Sequence, residues 1–155
     1  MKKILALPLL LVALIAGSGT VHAAPPTITD ESGLLPKDIF CSFDVEYTLT
    51  GKTKTIVNGG VKTVTSPGQK ITLTNLDTDK SVSYVITGVR REVTTGNIIE
   101  TVVTGRNIVV NDPDSDRQGI YVLVGNFNYA ITTSFKEYRV FSGAGQVIDV
   151  CAALS

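Results

Sequence analysis

The chain has 155 residues, with 14 Lys and Arg against 14 Asp and Glu, one His, two Cys and no Trp. This balance excludes a nucleic-acid or anionic-surface binder, which needs clustered positive charge; Arg90 and Arg91 are adjacent, but on a strand they leave on opposite faces. The only histidine, His22, lies in a stretch read below as a removable signal. Without it, Ser-His-Asp and Cys-His catalysis, zinc hydrolase sites and the usual neutral-pH general base all lack their central residue, so no enzyme activity and no cofactor are expected.

In chain order, Lys2 and Lys3 form a positive start, Ile4 to Ala16 an apolar run, and Val21-His22-Ala23 a small-residue cleavage site, the pattern of a secretory signal peptide over residues 1–23. The run is short for a membrane anchor, which needs about 20 apolar residues. Removing 23 of the 155 residues would leave 132, enough for one domain, and the loss of two lysines would leave 12 basic against 14 acidic groups, a net charge of −2. The expectation is a secreted, extracellular monomer with no membrane attachment after cleavage.

Residues 24–38 carry Pro25, Pro26, Gly33 and Pro36, and read as an extended leader unable to sustain a helix or a central strand. Residues 39–155 read as a single β domain. From Ile39 to Thr50 apolar residues alternate with polar ones, the period of a half-buried strand. Thr53 to Val57 and Val61 to Thr65 flank Asn58-Gly59-Gly60, a hairpin signal. Further strands are predicted at Lys70 to Asn75, Ser81 to Thr87, Val89 to Thr94, Ile98 to Thr104, Ile108 to Val110, Ile120 toward Ile131, and Val140 to Cys151. A helical turn at Ser134 to Glu137 is weighed against a hairpin bend, and the β-rich flanks favour the bend. Gly88, Gly105, Gly125 and Gly143 fall inside or between these runs, where bulges or close backbone approach are the usual reasons.

Eight to ten such strands with regular turns predict an all-β fold, an antiparallel β-sandwich of Ig-like or jelly-roll-like type, with a small β-barrel as the alternative. Cys41 and Cys151 bracket almost the whole β region, and an even pair in an oxidising compartment reads as a disulfide closing a loop of 111 residues. A metal-binding or reactive thiol pair is the weaker reading, because no histidine stands beside them.

Several segments, Cys41-Ser42-Phe43, Thr72 to Thr78, Thr104-Gly105-Arg106-Asn107, Val124-Gly125-Asn126-Phe127 and Val147 to Cys151, give the chain a pattern that resembles uncharacterised small secreted proteins of actinobacteria. The resemblance spans most of residues 41–155 and implies a secreted β protein; it supplies no activity and no functional residues.

Three groups of residues merit a chemical test. Asp44 and Glu46 share a strand face and form a carboxylate pair able in principle to flank a sugar for glycoside hydrolysis, although that face is polar and the solvated reading is favoured. Asp112, Asp114 and Asp116 put acidic oxygens at every second residue, a weak calcium candidate, but Arg117 and Leu123 occupy the positions where a helix-loop-helix calcium loop requires glycine and glutamate. Asn126, Phe127, Asn128 and Tyr129 form the first binding-surface candidate, two aromatics on one face and two amides on the other. The combined expectation is a non-catalytic extracellular binding or structural protein with a protein or glycan partner. The alternatives are a secreted enzyme inhibitor and, behind it, a carboxylate-dependent glycoside hydrolase.

Overall fold

The computed structural model describes residues 22–23 and 25–155, so all but the end of the predicted signal segment, residues 1–23, lies outside the described residues. The elements are β1 (His22–Ala23), β2 (Thr27–Leu35), β3 (Val45–Asn58), β4 (Val61–Thr65), β5 (Lys70–Asn75), β6 (Ser81–Val85), β7 (Gly88–Thr95), β8 (Ile98–Asn111), β9 (Gly119–Thr132), β10 (Glu137–Asp149) and a short helix α1 (Val150–Leu154). Every strand pairing is antiparallel. The order β10-β9-β8-β7-β4-β3-β5-β6 has two free ends, so the sheet is open and the barrel alternative is not what these residues build.

Two layers arise because β3 belongs to both. Its first half pairs with β2 and β5, for example Tyr47 with Gly33 and with Leu73, and its second half pairs with β1 and β4. The switch occurs at Gly51, whose φ of +120° is open to glycine and costly for other residues, and where a Cβ would stand 2.6 Å from the Cα of Gln69. A single long strand thus replaces the two strands expected at Ile39 to Thr50 and Thr53 to Val57. Its ladder begins only at Val45; residues 37–43 are turn and bend, yet Cys41, Phe43 and Val45 keep the predicted alternation and are all buried. The β3–β4 turn has positive φ at both Gly59 and Gly60, as a tight type I′ hairpin requires.

A second device bends the other layer. Gly88 pairs with Gly105, Gly105 with Gly125 and Gly125 with Gly145, a row of glycines running straight across β7, β8, β9 and β10. β8 and β9 have 14 residues each, a run of about 45 Å if extended, too long for one flat layer of a small domain. At Gly125, φ is +140° and a Cβ would run into the Ala144 carbonyl and lie 2.8 Å from the Cα of Gly145, so the strands fold over one another here only because nothing but hydrogen stands between them. The predicted break at Gly105 is therefore a crease inside β8, and the member of the row on β10 is Gly145; Gly143 pairs with Phe127 instead.

Beyond the crease, β8, β9 and β10 lie over the β3–β5–β6 layer. Val45, Ile71, Leu73, Ile86, Ile120, Val122, Val150 and Leu154 form the core between them. Full burial of each such side chain contributes about 1.5–3 kcal/mol. α1 closes the end of this core. Asp149 caps it by accepting from the Ala152 amide at 2.9 Å, and buried Asn75 of β5 donates to the Leu154 carbonyl at 3.1 Å while its own oxygen accepts from the Asp77 amide at 2.8 Å. The predicted strand Val140 to Cys151 thus ends at Asp149, where the capping aspartate turns the chain into helix.

Cys41 and Cys151 are bonded, with their Cα atoms 5.4 Å apart, tying the entry of β3 to α1. The predicted leader is extended, as its prolines and polar residues imply, but it is also docked: Thr27–Leu35 pairs with β3 alone, an edge position. Ile28 and Leu34 remain exposed on it. The favoured hairpin bend is present between β9 and β10, at residues 133–135. No helix among the described residues is long and apolar enough to cross a membrane.

Candidate functional site

Cross-strand register places one polar row across β4, β7, β8 and β9. Lys62 of β4 stands opposite Glu92 of β7, Glu92 opposite Thr101 of β8, and Thr101 opposite Tyr129 of β9. The neighbouring row is Val64, Arg90, Val103 and Phe127. Glu92 accepts from Lys62 at 3.0 Å and from Arg90 at 2.8 Å, so one carboxylate serves two cations. These pairs are partly exposed and contribute at most about 1 kcal/mol each to stability. They fix the positions of the charged heads more than they hold the sheet together.

Three hollows meet at this point, and Arg90 and Tyr129 line all of them. The first, about 420 Å³, opens toward β2, β3 and the start of the second half of β8, with Thr53, Gln69, Val103 and Arg106 on its walls. The second, about 380 Å³, runs along Val109, Phe141 and Ile131, and the third, about 430 Å³, lies over Thr101, Glu92 and Ile99. Burial pushes the Tyr129 phenol above its ordinary value, opposed by the charge of Arg90 and by hydrogen bonding to Thr101 and Arg90. The phenol is therefore neutral at physiological pH and presents a donor and an acceptor.

Phe135 overhangs the second and third hollows from the β9–β10 turn. It is 74% exposed and has φ of +62°. A bulky residue at positive φ is an outlier, and here the strained backbone presents a large apolar ring to solvent instead of hiding it.

The structure separates the four residues predicted as a binding surface. β9 is an interior strand between β8 and β10. Phe127 is buried to 4% exposure and packs edge-on against Phe141, with ring centroids 6.3 Å apart, so it is core and not binding surface. Asn126 is exposed on the opposite face, and Asn128 donates to the Ser142 carbonyl at 3.2 Å. Tyr129 alone of the four reaches the groove. As expected, Arg90 and Arg91 diverge: Arg90 turns into the groove, whereas Arg91 stands opposite Thr63 and Val102 on the other face.

The acidic loop is a clasp. Among the described residues no three His, Cys, Asp or Glu side chains converge to hold a metal ion, and Asp112, Asp114 and Asp116 are all exposed, so the calcium grouping read from their spacing is not assembled. Instead Asn111 donates to the Arg117 carbonyl at 2.8 Å, Arg117 stacks over Phe141 at 4.9 Å, and the Gln118 amide donates to the Ile39 carbonyl at 2.9 Å. These contacts pin the loop to Phe141 of β10 and to the chain leading into β3. Asp44 is likewise employed locally, accepting from the Lys37 amide at 2.7 Å, and Glu46 is exposed opposite Thr74.

Sequence reasoning reached Tyr129 and missed Lys62, Glu92, Thr101 and Phe135. Lys62 and Glu92 are 30 positions apart and meet only through β4–β7 pairing, which no local pattern announces. Compared with known protein families, curated proteins and solved structures, the chain finds no match.

Proposed function

We propose that this is a secreted, non-catalytic binding protein that captures an extracellular glycan in the groove centred on Arg90 and Tyr129. The observation that carries the reading is the convergence of three hollows on those two side chains, two of them also lined by the exposed Phe135 ring. Recesses of about 300–1,000 Å³ with a few convergent polar groups on an otherwise apolar lining are the usual form of small-ligand sites. Glycan recognition pairs hydroxyl and amide donors with an apolar or aromatic surface, and the groove supplies both.

The test is an NMR titration of isotope-labelled protein with a panel of neutral and acidic oligosaccharides. Amide shifts are expected at Arg90, Thr101, Tyr129 and Phe135, and Tyr129→Ala should abolish them while leaving the rest of the spectrum folded. Shifts that map to the opposite face, or binding undiminished in Tyr129→Ala, would overturn the assignment.

A further inference from the structure

We infer that the 420 Å³ recess takes an acidic saccharide, with a uronate-type carboxylate seated on the Arg106 guanidinium; this rests on the glycan-binding reading above and names the ligand class. The argument begins with charge. Among the described residues Lys62, Arg90 and Arg106 line the recess and no carboxylate does. Lys62 and Arg90 divide the single charge of Glu92 between them. Arg106 has no carboxylate within ion-pairing distance among the described residues.

The hydrogen bonding of Arg106 is also incomplete. A guanidinium carries five N–H donors. Here Nη1 reaches only the Val85 carbonyl, at 3.4 Å, and Nε is buried with no partner among the described residues. Buried donors are almost always satisfied, so an orphaned one beside a cavity marks a place where a further acceptor belongs. Arg106 follows Gly105 directly, and its own amide is held by the Thr87 carbonyl at 3.2 Å, so the crease sets the side chain at the recess wall. A small rotation of the side chain would present its Nε and Nη edge to a carboxylate, whose two oxygens match the planar fork.

The remaining lining fits a sugar better than a peptide or a lipid. Thr29, Thr53, Ser66, Gln69 and Asn107 offer neutral donors and acceptors for ring hydroxyls, and Ile86 and Val103 offer apolar surface for the ring's C–H face.

The experiment is isothermal titration with trigalacturonate and with its methyl ester, which keeps the shape and removes the charge, using wild type, Arg106→Gln and Arg106→Lys. Trigalacturonate should bind the wild type, with the ester and Arg106→Gln each weaker by about tenfold or more, and Arg106→Lys intermediate. Arg106→Gln should melt no lower than wild type, because it removes an unsatisfied donor. Equal binding of acid and ester, with shifts still at Arg90 and Tyr129, overturns the acidic assignment and leaves the glycan groove standing. Undiminished binding by Arg106→Gln together with a lowered melting temperature assigns Arg106 to packing and overturns the inference. Failure of acid and ester alike also overturns it.

Discussion

Reduction of the Cys41–Cys151 bond should remove about 5 kcal/mol of stability without altering the fold. The bond joins residues 110 positions apart and so closes a loop of 111 residues holding β3 to β10 and the start of α1. In the chain-entropy model the denatured chain loses about 16 cal/mol/K through such a link, or about 4.8 kcal/mol at 25 °C. For a domain of this size that corresponds to a fall in Tm of about 15 °C or more. Since whole domains hold only about 5–15 kcal/mol, the reduced protein should stand close to its unfolding threshold at body temperature. Urea denaturation followed by circular dichroism, with and without a thiol reductant, measures this on an unaltered sequence. It avoids the packing loss that Cys41→Ala would add at a site only 6% exposed. The slope with urea should also steepen on reduction, because the unlinked denatured chain exposes more surface. A difference below about 1 kcal/mol, or two titratable thiols in the native protein, would refute the reasoning.

Gly125→Ala should cost about 3 kcal/mol or more, since it meets both an unfavourable φ and the backbone of β10, whereas Gly59→Ala, with φ of +56° and open space around it, should cost only about 1 kcal/mol. Equal costs measured by thermal denaturation would dismiss the crease as a requirement of the fold. Phe135→Gly should raise stability by about 0.5–1 kcal/mol by relieving positive φ, and at the same time weaken oligosaccharide binding. A variant that gains stability and keeps full affinity would remove Phe135 from the site. Burial raises the Tyr129 pKa, so the folded state holds that proton more tightly than the unfolded chain; the associated stability is complete below the ordinary tyrosine value of 10.0 and is lost as pH rises through the folded value. Tyr129→Phe should therefore lose less stability than wild type between neutral pH and pH 11, read from urea midpoints at each pH, and identical slopes would contradict the burial argument.

Local pattern carried most of the β organisation. β4 and β5 lie where the alternation of Val61 to Thr65 and Lys70 to Asn75 puts them, and the Asn58-Gly59-Gly60 turn and the disulfide follow from short-range backbone chemistry and cysteine number. These features are legible because a two-residue period, a positive-φ turn and a cysteine pair each express themselves within a few residues or by simple count. Tertiary structure decided the rest. The gaps between the strands predicted on either side of Gly51 and of Gly105 read as interruptions, yet each glycine lies within one continuous strand, because whether glycine ends a strand or folds it depends on what the neighbouring strand places beside it. The same holds for the groove. Tyr129 and Phe127 share a strand face and pack into one cluster, but Phe127 is buried against Phe141 whereas Tyr129 is less deeply buried and lines the hollows with Arg90, and Lys62, Glu92 and Thr101 become neighbours only through pairing between strands distant along the chain. Periodicity specifies which side of a strand a residue occupies; the register and curvature of the assembled sheet specify what it faces.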